Sequence, residues 1–213
     1  MTIDYRHIAR WCARVIVALC LFTFSGARAG GIEQLQYFID RSTSGAATFQ
    51  QFVYDVDGNL VQESQGNLTF LRPGRFKWFY ETPYEQVLIG DGTFLWVYDK
   101  DLEQATKVLL KDALGSSPAA LLYGSKDIES YFGLEGLEPI ADDERVKVIP
   151  YEESGLFDRI ELALGGGVLR TMTLYDHFGQ KTIIKFDDFV VPANVDSQEF
   201  EFIPPEGVDI VTQ

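Results

Sequence analysis

The segment GNLTFLRPGRFKWFY, residues 66–80, contains the pattern that decides the fold. Apolar and polar side chains alternate on both sides of Pro73-Gly74, and a period of two is typical of β-strands. A Pro-Gly pair suits the central positions of a type II turn, because glycine accepts the positive φ that the second position needs. The segment therefore predicts two neighbouring strands joined by a tight turn. The alternation places Leu68, Phe70 and Arg72 on one face before the turn, and Phe76, Trp78 and Tyr80 on one face after it.

The same alternation extends outward through most of the chain. It returns in the segments 94–98 and 160–164, where Phe94, Trp96 and Tyr98 would share one strand face. Short strands with frequent turns are typical of a meandering antiparallel sheet, either a barrel or a sandwich. We find no linker and no clear repeat, so we expect one domain. The turn signals between the predicted strands are Asp57-Gly58, Asp91-Gly92, Gly165–Gly167 and Phe178-Gly179.

Helical patterns occur in only three short places after the N-terminal region. GIEQLQYFIDRS, residues 31–42, has helical spacing of its apolar side chains, Leu35 and Phe38 among them. GSSPAALLYG, residues 115–124, offers Ser117 as N-cap and Gly124 as terminator around Leu121 and Leu122. KDIESYFG, residues 126–133, predicts a further short helix that ends at Gly133. These helices are too small to form a layer, and we expect a plug or a lid.

The first 29 residues have the organisation of a secretory signal peptide. Arg6, Arg10 and Arg14 precede the apolar run 15–24, and Ala27 and Ala29 form an A-x-A cleavage site. The apolar run is too short for a membrane anchor, which needs about 20 residues. We therefore expect cleavage after Ala29 and a single, soluble mature domain of residues 30–213.

Cysteine usage agrees with this interpretation. Cys12 and Cys20 both lie in the predicted signal peptide, so the mature chain would have no disulfide. Leu19 precedes Cys20 where the signal of a bacterial lipoprotein would have a small residue. We therefore do not expect Cys20 to be acylated.

Composition and motifs disfavour several classes of function. The 213 residues contain 32 acidic and 18 basic side chains, a net charge of −14 that repels nucleic acids and anionic lipid headgroups. We find no G-x-S-x-G elbow, P-loop or zinc-binding spacing, and His177 lies alone in a turn. The acidic clusters Asp142-Asp143-Glu144 and Asp187-Asp188 are interpreted as solvated turns. The sequence thus predicts neither an enzyme nor a cofactor or metal site.

The aromatic side chains, 14% of the chain, allow two interpretations. On a curled sheet they could line a hollow that takes an apolar ligand. They could equally fill an ordinary core, and periodicity alone favours the core.

Four stretches of the chain resemble one protein family. They are FQQFVYDVDGNLVQESQGNLTFLRPGRFKW (Phe49 to Trp78), IGDGTFLWVYD (89–99), EQATKVLLKDALGSSPAALL (103–122) and FEFIPPEGVDIV (200–211). In this order they are similar to the periplasmic outer-membrane lipoprotein carrier proteins of Gram-negative bacteria, the LolA family. Residues 134–195 match only loosely, and Gly74 stands where many relatives carry Asn.

The resemblance implies a mainly β fold, an incomplete, unclosed antiparallel β-barrel with a lid of short α-helices over a hydrophobic cavity. It implies a monomeric periplasmic chaperone that shields the acyl chains of lipoproteins. The partners that it implies are an inner-membrane ABC transporter, which hands over the lipoproteins, and an outer-membrane receptor, which accepts them.

Site residues follow from the resemblance together with the strand pattern. The family's arginine in the R-P motif maps to Arg72, where it implies a latch that holds the lid shut. The predicted cavity residues are Phe49, Leu68, Phe70, Phe76, Trp78, Tyr80, Leu88 and Trp96. The predicted lid residues are Leu35, Phe38, Leu121 and Leu122.

Three other functions remain open from the sequence. An outer-membrane β-barrel would face lipid with its strands, and the lid-like helices and strong acidity argue against it. A lipocalin-like protein would carry a different lipid or small apolar ligand. An outer-membrane acceptor of the same fold would itself be a lipoprotein, which Leu19 argues against.

Overall fold

The computed structural model describes residues 30–113, 120–123, 128–151 and 157–212. Its helices are α1 (Gly31–Arg41), α2 (Leu110–Ala113) and α3 (Ala120–Tyr123), with single 3-10 turns at Ile128–Ser130 and Ser197–Phe200. Its strands are β1 (Ser44–Tyr54), β2 (Leu60–Leu71), β3 (Arg75–Thr82), β4 (Gln86–Asp91), β5 (Phe94–Asp99), β6 (Gln104–Leu109), β7 (Phe132–Ile140), β8 (Asp143–Pro150), β9 (Phe157–Gly165), β10 (Val168–Asp176), β11 (Lys181–Val190) and β12 (Asp209–Thr212).

All of these strands belong to one 12-stranded sheet. Their order is β12-β6-β5-β4-β3-β2-β1-β11-β10-β9-β8-β7, so β12 and β7 form the two edges and the sheet does not close. Neighbouring strands are antiparallel except β12, which pairs in parallel with β6. The predicted mainly β, unclosed antiparallel barrel is confirmed.

The predicted turns join strands, and three of them share the same hydrogen-bond pattern. In each, an aspartate carboxylate accepts hydrogen bonds from backbone N–H groups two to four residues later: Asp55 from Asp57 and Asn59, Asp91 from Thr93 and Phe94, and Asp176 from Phe178 and Gln180. The Asn59 side chain adds a bond to Asp55, and these bonds lower the pKa of that carboxyl. Such Asx turns favour the reversal locally, because they supply partners for backbone groups that the ladder leaves unpaired.

The main core lies on the inner face of the sheet, beneath α1. Helix α1 contacts β7, β8 and β9, whereas α3 contacts β2. A Cβ at Gly31 would collide with the Arg145 carbonyl oxygen, so only glycine allows the start of α1 to come this close to β8. The lid-like placement of α1 over the sheet agrees with the sequence-based prediction.

Two local predictions are wrong. In the described part of the predicted helix 126–133, a single 3-10 turn (Ile128–Ser130) ends before the predicted terminator, and Gly133 pairs with Ile149 in the β7–β8 ladder. Pairing with a strand that follows in the sequence thus overrides the short helical pattern. The acidic clusters are not simply turns, because Glu144 is buried in β8, and Asp187 and Asp188 lie exposed on β11.

Residues 1–29 fall outside the described residues, so the signal peptide and its cleavage after Ala29 stay predictions. The same holds for the helix ends proposed at Ser117 and Gly124.

Candidate functional site

A continuous apolar surface on the inner face of the sheet contains most of the predicted cavity residues. Phe49, Leu68, Phe70, Phe76 and Trp78 are each at most 3% exposed. The strand register explains this, because Leu68 lies opposite Trp78 and Phe70 lies opposite Phe76 on paired strands. Their rings and chains belong to one cluster, which we call the inner core.

The centre of the inner core is aromatic. The Phe49 ring centroid lies 4.9 Å from Trp78 and 5.2 Å from Tyr80, and Trp78 lies 6.2 Å from Phe186. Tilted and edge-on contacts of this kind each contribute about 0.5–1.5 kcal/mol beyond area burial. The Trp78 indole Nε1 is buried without a hydrogen bond of normal geometry, an unusual cost for a polar atom in a native core.

Glycine makes room for these rings. A Cβ at Gly66, opposite Phe49 on β2, would collide with the Phe79 carbonyl oxygen and crowd the Phe49 ring. The glycine therefore leaves room for the Phe49 ring where strands β1 to β3 pack closely.

Tyr80 and Leu88 lie at the half-buried margin of the inner core. The Tyr80 hydroxyl donates to the Gln51 Oε1 at 3.1 Å. Burial raises the pKa of Tyr80 to about 12, an effect that neighbouring Trp78 and Gln51 partly offset. Tyr80 therefore presents a neutral hydroxyl at the point where apolar lining changes to polar lining.

The predicted lid residues cover the inner core. Leu35 and Phe38 of α1 are each 2% exposed, and the Phe38 ring packs edge-on against Phe189 at 5.6 Å. Leu121 and Leu122 of α3 are buried in the same cluster. Side chains from both helices thus occupy positions in which they seal apolar surface.

Arg72 lies beside α3 at the end of β2. Its backbone N–H donates to the Thr43 carbonyl oxygen at 2.8 Å, and its Nη2 donates to the Leu121 carbonyl oxygen at 3.4 Å. The guanidinium carbon lies 5.8 Å from the Phe70 ring centroid. Burial lowers the pKa of Arg72 to about 10, so the side chain is charged at neutral pH. A half-buried cation thus contacts both the inner core and the backbone of a lid helix.

Trp96 does not join the predicted cavity residues, and its placement among them is corrected. Trp96 pairs with Ile89, and Ile89 pairs with Lys77, so Trp96 lies on the face opposite Trp78. Its Nε1 donates to Asp91, and its ring lies 5.3 Å from Phe202. The inward side chains of β5 are instead Leu95 and Val97, which belong to or pack against the inner core.

Sequence reasoning also missed the part of the inner core contributed by β10 and β11. Met172, Leu174, Ile184 and Phe186 are nearly inaccessible to solvent and lie in the same cluster as Trp78. Their alternation along the two strands was available as a signal, but the resemblance is weakest in this region.

A cleft of about 420 Å³ lies on the inner face at the end away from Arg72. It is not apolar like the predicted cavity, because amide, hydroxyl and carboxylate groups contribute much of its lining. Its lining residues are Gln51, Gln62, Ser64, Tyr80, Pro83, Tyr84, Gln86, Asp99, Asp101 and Leu102.

Metal-binding clusters and membrane-spanning helices are both absent from the described residues. Over residues 30–113, 120–123, 128–151 and 157–212, no group of three His, Cys, Asp or Glu side chains is arranged to hold a metal ion. None of the helices described in those ranges has the length and apolarity needed to cross a membrane.

Comparison with known sequences identifies one family. The family model described as outer membrane lipoprotein carrier protein LolA matches residues 40–203. A protein named outer-membrane lipoprotein carrier protein from Nitrosospira multiformis is 40% identical, over 93% of this chain and 96% of the relative. A protein of the same name from Ralstonia nicotianae is 38% identical, over 98% of this chain and 97% of the relative.

Solved structures share the fold at low sequence identity. An uncharacterized conserved protein from Thermus thermophilus superposes with a TM-score of 0.54 at 16% identity, covering 85% of this chain and 98% of that one. A LolA superfamily protein from Nitrosomonas europaea gives a TM-score of 0.51 at 10% identity, covering 82% of this chain and 99% of that one.

Proposed function

The chain belongs to the family of outer membrane lipoprotein carrier proteins, and on that premise we propose that it is a periplasmic chaperone for acylated lipoproteins. The observation that supports this most directly is the inner core, an apolar face of an unclosed sheet covered by short helices. Acyl chains need a surface of this kind to leave a membrane and cross an aqueous compartment.

A lipid carrier must bind its cargo reversibly, so that it can also release it. Burial of an acyl chain contributes about 0.8 kcal/mol per methylene, so a fully buried long chain would hardly dissociate. The side chains of α1 and α3 oppose that binding, because Leu35, Phe38, Leu121 and Leu122 occupy the same apolar surface. Cargo then exchanges lid contacts for acyl contacts, a shift between two populated states.

Arg72 is the latch in this mechanism. Its bond to the Leu121 carbonyl oxygen and its position over Phe70 favour the closed lid. Hydrogen bonds from charged donors contribute about 1.5–3 kcal/mol, and less at this length. A latch of that size biases closure and still yields to cargo. No covalent bond is made or broken, so the protein acts as a carrier and not as an enzyme.

The proposed partners follow from the route of the lipoprotein between the inner and the outer membrane. The predicted signal peptide, residues 1–29, would export the chain to the periplasm. There an inner-membrane ABC transporter would hand over the lipoprotein, and an outer-membrane receptor would accept it. We propose that the carrier acts as a monomer, so that one inner face takes one cargo molecule.

The two tryptophans on opposite faces of the sheet provide the experiment. In the mature chain, residues 30–213, we expect a diacylated lipopeptide to change the fluorescence of Trp78 in a Trp96→Phe variant, because acyl chains would pack on the inner core to which the indole belongs. The matched variant Trp78→Phe retains Trp96, whose emission should stay constant. The same peptide without acyl chains serves as the ligand control.

Two results would contradict the proposal. The first is the absence of binding by the diacylated peptide in an independent sedimentation assay. The second is binding that changes Trp96 emission and leaves Trp78 emission constant, which would place the ligand on the outer face.

A further inference from the structure

The cleft at the end away from Arg72 is continuous with the inner core. Gln51, Ser64, Tyr80 and Gln86 all lie on the inner face, since Gln51 pairs with Ser64 and Tyr80 pairs with Gln86. Tyr80 belongs to both regions: its ring packs on Phe49, and its hydroxyl lines the cleft. An amphiphile that lies along this face would have its chains on the inner core and its polar end in the cleft.

The polar groups of the cleft are suited to a neutral partner. Gln51, Gln62 and Gln86 offer amides, and Ser64 and Tyr80 offer hydroxyls. Amides and hydroxyls both donate and accept, so they match the carbonyl and N–H groups of esters and amides.

The charge of the cleft is negative. Asp99 and Asp101 line it, and none of the described lining residues is Lys or Arg. Lys100 lies between the two aspartates in sequence, but its Nζ bonds Glu85 Oε2 at 2.7 Å. Like charges in a partly enclosed site repel more strongly than on an open surface, because solvent screens them less.

We propose that this cleft is a head-group site that accepts the ester and amide linkage of an acylated polypeptide and excludes the phosphate of a phospholipid through Asp99 and Asp101. The inference rests on the proposed function and adds a basis for selectivity to it. Membranes contain far more phospholipid than lipoprotein, and the inner core alone cannot distinguish the acyl chains of the two.

A pair of soluble short-chain lipids tests the inference. Dioctanoylglycerol is neutral, and dioctanoyl phosphatidic acid adds a phosphate, and nothing else, to the same chains. We expect the purified protein to bind the neutral probe at least about tenfold more tightly, measured by Trp78 emission in the Trp96→Phe background. The double substitution Asp99→Asn with Asp101→Asn should reduce this ratio at least about fivefold, mainly through tighter binding of the anionic probe. It should not weaken binding of dioctanoylglycerol.

A matched control changes the same charge elsewhere. Asp187 and Asp188 are exposed on β11 and lie outside the cleft, so Asp187→Asn with Asp188→Asn should leave the ratio of the two affinities unchanged. Asparagine at position 99 keeps the oxygen that accepts the Leu102 N–H bond, so the turn is preserved. In 1 M salt the ratio of the unsubstituted protein should fall, because the Debye length shortens to about 3 Å.

The outcomes of this experiment distinguish the head-group site from the carrier function. Equal affinity of the unsubstituted protein for both probes would overturn the head-group site and leave the proposed carrier function intact. An unchanged ratio in the Asp99/Asp101 variant, or an equal change in the Asp187/Asp188 variant, would also overturn it. Binding of neither probe by a protein that does bind the diacylated lipopeptide would overturn the head-group site alone, and failure to bind the lipopeptide as well would overturn the carrier function.

Discussion

The charge of Arg72 is partly desolvated in the folded protein, which is unfavourable for a cation. Burial lowers the pKa of its guanidinium to about 10, which means that the surroundings disfavour the cation relative to water. Contacts of the guanidinium, among them the bond to the Leu121 carbonyl oxygen at 3.4 Å and the approach to the Phe70 ring at 5.8 Å, offset that desolvation. The contribution of Arg72 to the free energy of unfolding should therefore be small, although its effect on the lid is specific.

Replacing this side chain tests the latch directly. We expect Arg72→Leu to change the free energy of unfolding by less than about 2 kcal/mol, since lost bonds and relieved desolvation oppose each other. The variant should bind a diacylated lipopeptide more tightly and release it about tenfold more slowly, because the empty closed form loses about 1.4 kcal/mol of stabilisation. Stopped-flow transfer to an acceptor vesicle measures the release rate.

Arg75 provides the matched control for this prediction. It begins β3 three residues later, and its side chain is exposed. Arg75→Leu should leave the release rate unchanged. A release rate for Arg72→Leu equal to that of Arg75→Leu would show that Arg72 is an ordinary turn residue.

Trp96 shows how far a single strand can be interpreted from sequence. In FLWVYD both faces of β5 are apolar, so alternation alone could not assign Trp96 to the inner or outer face. The outer face is apolar because a later segment covers it: Phe202 packs on Trp96 and Tyr98, and Phe200 is buried where Ser197–Phe200 contacts β3 and β4. That cover comes about 100 residues after the strand, beyond the reach of a local pattern. By contrast, the faces of Leu68 and Trp78 were predictable, because the residues next to them along each strand are mostly polar.

Helix α1 is attached to the sheet by one of its faces. Phe38 is 2% exposed and packs against Phe189, whereas adjacent Tyr37 is 48% exposed and contacts Arg41 on the outer side of the helix. Replacing a buried phenylalanine by alanine costs about 3–5 kcal/mol. We therefore expect Phe38→Ala to lower the free energy of unfolding by about 3 kcal/mol in urea denaturation. Tyr37→Ala, the control on the same helix, should lower it by less than about 1 kcal/mol. Similar losses in the two variants would mean that α1 is not seated on the inner core.

Elements were predictable where local chemistry alone specifies them. Asp91-Gly92 forms its turn because the carboxylate caps two N–H groups and Gly92 adopts a φ of 98°. The helix predicted over 126–133 is wrong in its described part, because Ile128 lies in a 3-10 turn and Phe132 lies in β7. Only the pairing of β7 with β8 decides between them, and that pairing is a tertiary interaction.

At the scale of the whole molecule, the unclosed sheet explains why a lid is needed. A closed barrel satisfies both of its edges, but here β7 and β12 remain edges and the inner face stays open on one side. Among the described residues, α1 lies over β7, β8 and β9, and α3 lies over β2, so short helices make the cover. The long central ladders of β1 with β2 and β11 form the most heavily paired part of the fold.

The contrast between short covering helices and long central strands predicts two levels of local stability, which hydrogen–deuterium exchange can resolve. Amides in weakly packed elements open locally, whereas central strands exchange only by near-global unfolding. We expect α1 and α3 amides to exchange faster than those of β1, β2 and β11 in the free protein. A diacylated lipopeptide should accelerate exchange in α1 and α3 further, because acyl chains displace their side chains, and should leave the β1–β2 ladder unchanged. The non-acylated peptide is the control and should alter neither region. Slower exchange in α1 and α3 with acylated ligand would mean that the helices close over the cargo and do not give way to it, and the competition between lid and lipid would then be wrong.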